Sequence, residues 1–210
     1  MRLKSSIGVL VLSLGLQTGM PSAALAGSPT EQLRGSIDKV LRLADEGGGR
    51  RESPRERRVA LRKIADEIFD WGETAKRSLG MHWRERTPAE REEFVRLFAD
   101  LLERSYMTKV ELYDGERIGY VGDTIDGDQA IVRTKLVNKQ GGEMAVNYRM
   151  VNRDERWKVY DVEIEGVSLV ANYRTQFNSL LRRSTYPELV QALRAKTTAP
   201  EVEAVMASPK

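Results

Sequence analysis

The sequence predicts an α+β fold: helices packed on a twisted four-stranded antiparallel sheet. Apolar residues recur at helical spacing up to about residue 112. From Arg117 the spacing changes to β-prone runs punctuated by Gly and Asp. After Ser168 it returns to helical spacing, and helices, then strands, then helices is the order of an α+β domain.

The first element justified by pattern is a helix from residue 30 to 44, with Leu33, Ile37, Val40 and Leu41 on one face. Gly47, Gly48 and Gly49, followed by Arg50 and Arg51, break it into a loop. Ser53-Pro54 restarts a helix, with Ser as N-cap and Pro in the first turn. Val59, Ile64, Ile68, Trp71, Ala75 and Leu79 then extend as one long helix or two in series, ended by Gly80. Thr87-Pro88-Ala89-Glu90 is a capping box. It opens a helix whose stripe is Phe94, Leu97, Phe98, Leu101, Leu102 and Tyr106.

Strands are expected at 117–124, 129–138, 143–151 and 156–165. Their connections are short, so the sheet is an antiparallel meander. In the third, Met144, Val146, Tyr148 and Met150 alternate with smaller or polar residues, giving one apolar face. In the fourth, apolar parity changes after Val159, which requires a bulge or burial on both faces. Ser168 caps a helix carrying Val170, Tyr173, Phe177 and Leu180, and Pro187 opens a short last helix.

The ends define three segments. Residues 1–26 combine Arg2 and Lys4, an apolar run of about ten residues and Ala24-Leu25-Ala26, the pattern of a cleaved signal peptide. Residues 27–196 form a single domain, and 197–210 read as a disordered tail. Without Arg2 and Lys4 the Lys and Arg number 32 against 31 Asp and Glu, a net charge of about +1. That balance does not support nucleic acid as a partner. With no Cys and one His, thiol chemistry, disulfides and His-rich metal sites are excluded.

Catalytic readings are weak. Asp161, Glu163 and Glu165 share one face of an unbroken strand, but such carboxylates more often face solvent, here opposite Lys135 or Arg133. His82 lacks a placed partner, and Gly122-Asp123 with Asp126-Gly127-Asp128 reads as turn chemistry rather than a Ca²⁺ loop.

One stretch is more specific. Residues 157–177, WKVYDVEIEGVSLVANYRTQF, run from a β-rich segment through a Gly-Val-Ser turn into an amphipathic helix. Upstream, Ile68-Phe69-Asp70, Leu79-Gly80, Trp83, Thr87, Phe94, Phe98, Leu101-Leu102, Tyr106 and Tyr148 follow in order. Together these resemble the MlaC family, also called the toluene-tolerance auxiliary family, over nearly the whole of residues 27–196. The Gly47–Arg51 loop, Asp70-Trp71-Gly72 and the long tail depart from the family pattern.

The resemblance implies a soluble periplasmic phospholipid carrier, not an enzyme, whose helices and sheet enclose a hydrophobic cavity. It implies no cofactor, only a bound phospholipid as cargo. The implied partners are an inner-membrane ABC transporter complex with an MCE-type subunit and an outer-membrane lipoprotein complex. Cavity walls would come from Val132, Val146, Tyr148, Val159, Val162 and Ile164 on the sheet, and from Phe98, Leu102, Tyr106, Val170, Tyr173 and Phe177 on the helices. Arg133, Arg149 and Arg174 are candidates for the head group at the mouth. The alternatives are a small-substrate isomerase or hydrolase in a cone-shaped α+β fold, a ligand-free scaffold, and a carrier of another apolar lipid such as a sterol or hopanoid.

Overall fold

The computed structural model describes residues 27–45, 53–111 and 115–198. The expected signal peptide, the 47–51 loop and the tail beyond Thr198 lie outside these residues. The helices are α1 (Pro29–Asp45), α2 (Pro54–Ile68), α3 (Trp71–Leu79), α4 (Pro88–Glu111), α5 (Leu169–Leu181) and α6 (Tyr186–Thr198), with a 3₁₀ turn at Gly80–Trp83. The strands are β1 (Arg117–Asp126), β2 (Gln129–Val137), β3 (Glu143–Arg153), β4 (Arg156–Ile164) and β5 (Val167–Ser168).

All five strands pair in chain order as an antiparallel meander. The fifth strand is absent from the sequence expectation. Glu165 and Gly166 both take positive φ, a two-residue turn that folds Val167 and Ser168 back onto Ile164 and Glu163.

Capping drives the helix starts where the sequence places them. The Ser53 hydroxyl accepts from the Glu56 N–H, and the Glu56 carboxylate accepts from the Ser53 N–H. Thr87 and Glu90 form the same reciprocal box, and the Ser168 hydroxyl accepts from the Ala171 N–H. The α6 helix runs through Thr198, two residues beyond the boundary expected for the domain.

The long apolar stripe of residues 59–79 resolves into two helices. Between them Phe69 leaves the helix, bridges to Val159, and passes the chain to Asp70, whose side chain caps α3. Val59 is 64% exposed and belongs to no apolar face, because the helix turns it to solvent beside its basic neighbours.

Two apolar cores result. One lies among α3, α4, α5 and α6, around Leu79, Phe94, Phe98, Phe177, Leu189 and Leu193. The other lies between α1 and one face of the sheet, around Leu33, Ile37, Ala130, Val132, Met150 and Val159. Strand β4 supplies Val159 to the second core and meets α3 and α5 on its other face. The register slips by one at Tyr160: Arg149 pairs with Asp161 but Met150 pairs with Val159. This bulge explains the parity change in the sequence. It returns Val162 and Ile164 to the Val159 face and sends Tyr160 to the other side. Val159, Tyr160 and Asp161 are therefore buried in succession, because α1 covers one face of β4 while α3 and α5 cover the other.

Candidate functional site

Cross-strand register sorts the expected lining residues into rows on one sheet face. Val132, Tyr148 and Val162 are consecutive partners across β2, β3 and β4. Thr134, Val146 and Ile164 form the next row, with Tyr120 of β1 opposite Thr134. On the other side, Ala130, Met150 and Val159 complete the face. Alternation of side chains along each strand makes this one apolar surface. Helix α1 lies over it, held by Leu33, Ile37 and Leu41 and by polar ties at its N-terminal end. The Thr30 N–H and hydroxyl both donate to Asp123, and Gln32 accepts from the Trp157 N–H.

The helical candidates gather elsewhere. Phe98 lies 5.0 Å from Tyr173 and 5.3 Å from Phe177, both edge-on, and stacks 5.8 Å from Phe94. Leu102 and Tyr106 pack against the same cluster. Nine of the twelve expected lining residues thus divide between two cores. Val132, Tyr148, Val159 and Val162 belong to the sheet core, and Phe98, Leu102, Tyr106, Tyr173 and Phe177 to the helical one. Val146 and Val170 are buried outside both cores, and Ile164 is half-buried.

Burial raises the phenols in these cores above the ordinary phenol range. Burial pushes the Tyr148 and Tyr106 hydroxyls up to about 12, each with a smaller contribution from a neighbouring tyrosine, Tyr120 and Tyr173 respectively. Burial also raises Tyr173, against a hydrogen bond to Ser105. They are hydrogen-bond donors at any physiological pH, not bases.

The three arginines are not brought to one mouth. Arg133 and Arg149 project from the face opposite Val132 and Tyr148, as alternation requires. Arg149 donates to Glu163 at 3.0 Å and lies 3.8 Å from Asp161, so its charge is already satisfied. Arg133 donates to the Thr124 hydroxyl, and Arg174 runs its aliphatic stem alongside Gly80 on α5's exposed side.

The acidic trio also differs from expectation. Asp161 is 5% exposed rather than solvated: it accepts from Ser168 Oγ at 2.6 Å and from the Val170 N–H at 3.0 Å. It therefore caps α5. Glu163 accepts from Asn147 and Arg149, and those bonds, Asn147's first, hold its carboxyl below the usual 4.5 despite partial burial. Lys135 pairs with Glu143 instead. His82 Nε2 lies 3.2 Å from the Asn178 side-chain oxygen. Among the described residues no cluster of three or more His, Cys, Asp or Glu is placed to hold a metal.

Two hollows accompany these cores. A cleft of about 80 Å³ between α1, the end of α2 and the β3–β4 hairpin reaches Leu33 and Met150 of the sheet core. A wider surface depression of about 550 Å³ lies at Gly80, Met81, His82, Arg84 and Glu85 and shares no residue with the lining set.

Sequence reasoning missed Tyr120, Ile37 and Leu33 as part of the sheet core. The signal was present in α1's stripe and in the Ile118, Tyr120 alternation of β1, but which face α1 covers is a tertiary fact.

The fold matches that of a solved protein, the phospholipid-binding protein from Ralstonia solanacearum in complex with a phospholipid. The TM-score is 0.69 at 24% identity, covering 81% of this chain and 97% of that one. Among curated proteins, the intermembrane phospholipid transport system binding protein MlaC of Haemophilus influenzae is 23% identical over 127 residues, 58% of this chain and 59% of the relative. The toluene tolerance protein ttg2D of Pseudomonas putida is 25% identical over 127 residues, 60% of this chain and 59% of the relative. The chain thus spans about three-fifths of the length of the curated relatives it matches. The family model described as MlaC protein matches residues 34–195, most of the sequence, and with the five-stranded meander and its flanking helices it establishes that the chain belongs to the MlaC family.

Proposed function

We propose that the protein is a periplasmic phospholipid carrier that moves lipid between the inner and outer membranes. The observation that carries this reading is membership of the MlaC family together with the fold of a protein solved with phospholipid bound, joined to an apolar sheet face lined by neutral phenols. The acyl chains would run along Val132, Val146, Tyr148, Val159, Val162 and Ile164, the apolar face over which α1 lies. Candidate partners are an ABC transporter complex with an MCE-type subunit on the inner membrane and a lipoprotein complex on the outer one. Asp161, Glu163 and His82 have structural partners, so the reading assigns them no chemistry.

The energetics favour a handed-over cargo. Two acyl chains hold about 30 methylenes, and at about 0.8 kcal/mol each their removal from water is worth about 25 kcal/mol gross. That exceeds the practical ceiling of non-covalent affinity, about 20 kcal/mol, so ordering and rearrangement must oppose part of it. Release into water is correspondingly slow, and delivery requires direct docking on a partner. The 80 Å³ cleft is about the share of three waters, so chains enter only as the packing around the sheet face yields.

Native mass spectrometry of protein purified without detergent tests the reading. A stoichiometric adduct of one phospholipid mass is the expected result. A bare polypeptide mass, with no uptake from phospholipid vesicles, would overturn it.

A further inference from the structure

The Tyr120 hydroxyl is buried and has no hydrogen-bond partner. Leaving such a group unsatisfied is costly, and native proteins rarely do so without reason. Its ring packs on the sheet core at the rim where α1 crosses β1. The Tyr148 hydroxyl lies near enough to feel its charge, and both are driven up to about 12 by burial. From α1, the exposed Arg34 guanidinium sits 4.4 Å above the Tyr120 ring, and Asp38 lies close by without accepting from the hydroxyl. Moving outward along this rim gives apolar wall, neutral donor, then guanidinium.

That order matches a diacyl glycerophospholipid read from its chains: methylenes, ester carbonyl, phosphate. A neutral phenol in an apolar setting suits a neutral acceptor. A phosphate placed there would lose its hydration for one donor. We propose that the Tyr120 hydroxyl donates to an acyl ester carbonyl of the bound lipid, fixing the depth at which the chains seat and leaving the phosphate at the level of Arg34. The assignment rests on the carrier reading above.

The test is a competition read by native mass spectrometry. Protein is incubated with equal amounts of a diester phosphatidylglycerol and its diether analogue, identical in head group and chain length but lacking the carbonyls. One net hydrogen bond gives the wild type about a fivefold preference for the diester. Tyr120→Phe should abolish that preference while still taking up the diether lipid. Its unfolding temperature without lipid should not drop, because the hydroxyl loses no partner in the protein. A wild type indifferent to the carbonyls, a variant that keeps the preference, or a clear drop in unfolding temperature each overturns the assignment. Uptake of neither lipid by the wild type overturns the carrier reading instead.

Discussion

Asp161 offers the sharpest test of how the helical unit is fastened to the sheet. Its carboxylate is 5% exposed and accepts from Ser168 Oγ and the Val170 N–H, at the N-terminus of α5. Replacing it with Ala orphans the Val170 N–H in a buried site, at about 1–3 kcal/mol. It also removes a negative charge from a helix N-terminus, worth up to about 1–2 kcal/mol when partly buried. The expected loss is about 3 kcal/mol. Asp161→Asn keeps an acceptor for the Val170 N–H but loses the charge and the oxygen that accepts from Ser168 Oγ, so its loss should be smaller than that of Ala, about 2 kcal/mol by the same principles. Urea unfolding followed by far-ultraviolet circular dichroism measures both. Equal losses for Ala and Asn, or a loss under about 1 kcal/mol for Ala, would refute the capping account. Lipid uptake supplies the second half. Folded Asn variant should load normally, and a folded variant that fails to load would make this carboxylate functional rather than structural.

Other outcomes follow from the same geometry. Val146→Arg or Val162→Arg, on the apolar sheet face, should cut phospholipid uptake at least tenfold in protein that still folds, since a charge there must shed its hydration; full loading would rule these residues out of the wall. Glu163, Glu56, Glu90 and Glu188 all have carboxyls held below 4.5 by hydrogen bonds in the folded state. Their stabilisation is present above the unfolded value and lost as pH falls through the lower folded values, so melting temperature should be flat near neutrality and fall below about pH 4.5. An unchanged melting temperature down to about pH 3.5 would contradict this. Asp154 and Glu155 form the β3–β4 turn with φ of 48° and 65°, values that suit glycine better, so Glu155→Gly should stabilise by about 0.5–1 kcal/mol in the same urea assay.

The meander, the helix order and three capping sites were legible because each rests on local chemistry. Thr87-Pro88-Ala89-Glu90 encodes its own helix start, and alternation in 143–151 encodes its own face. The β4 bulge was legible too, as a parity change after Val159. What escaped was the relation between elements. The pattern 59–79 does not reveal that Phe69 leaves the helix for a bridge to a strand 90 residues later. The Asp161, Glu163 alternation looks like a solvated face until α5 is known to start on top of it. The three arginines seem equivalent in sequence, yet Arg149 is consumed by Glu163 and Asp161. For the same reason the expected lining residues, all buried or half-buried, could not be sorted from sequence into those of the sheet core, those of the helical core and the three outside both.

Strand β4 also sets a timetable for folding. Its inner face completes the core under α1, where Trp157 is bonded to Gln32, 125 positions earlier. Its outer face is met by α3 and α5, and Phe69 and Asp70 are stitched to Val159. Helices α1, α2 and α3 all contact β4 and cannot be fully covered until its residues are available, and the stripe of α4 waits for α5 and α6, which follow β4 in the chain. Contacts of such long sequence separation fold slowly, because the connecting loop must close before they form. A chain interrupted before Val159 would therefore expose the stripes of α1 and α4 together, and its first half would be competent to pair with other chains rather than with itself.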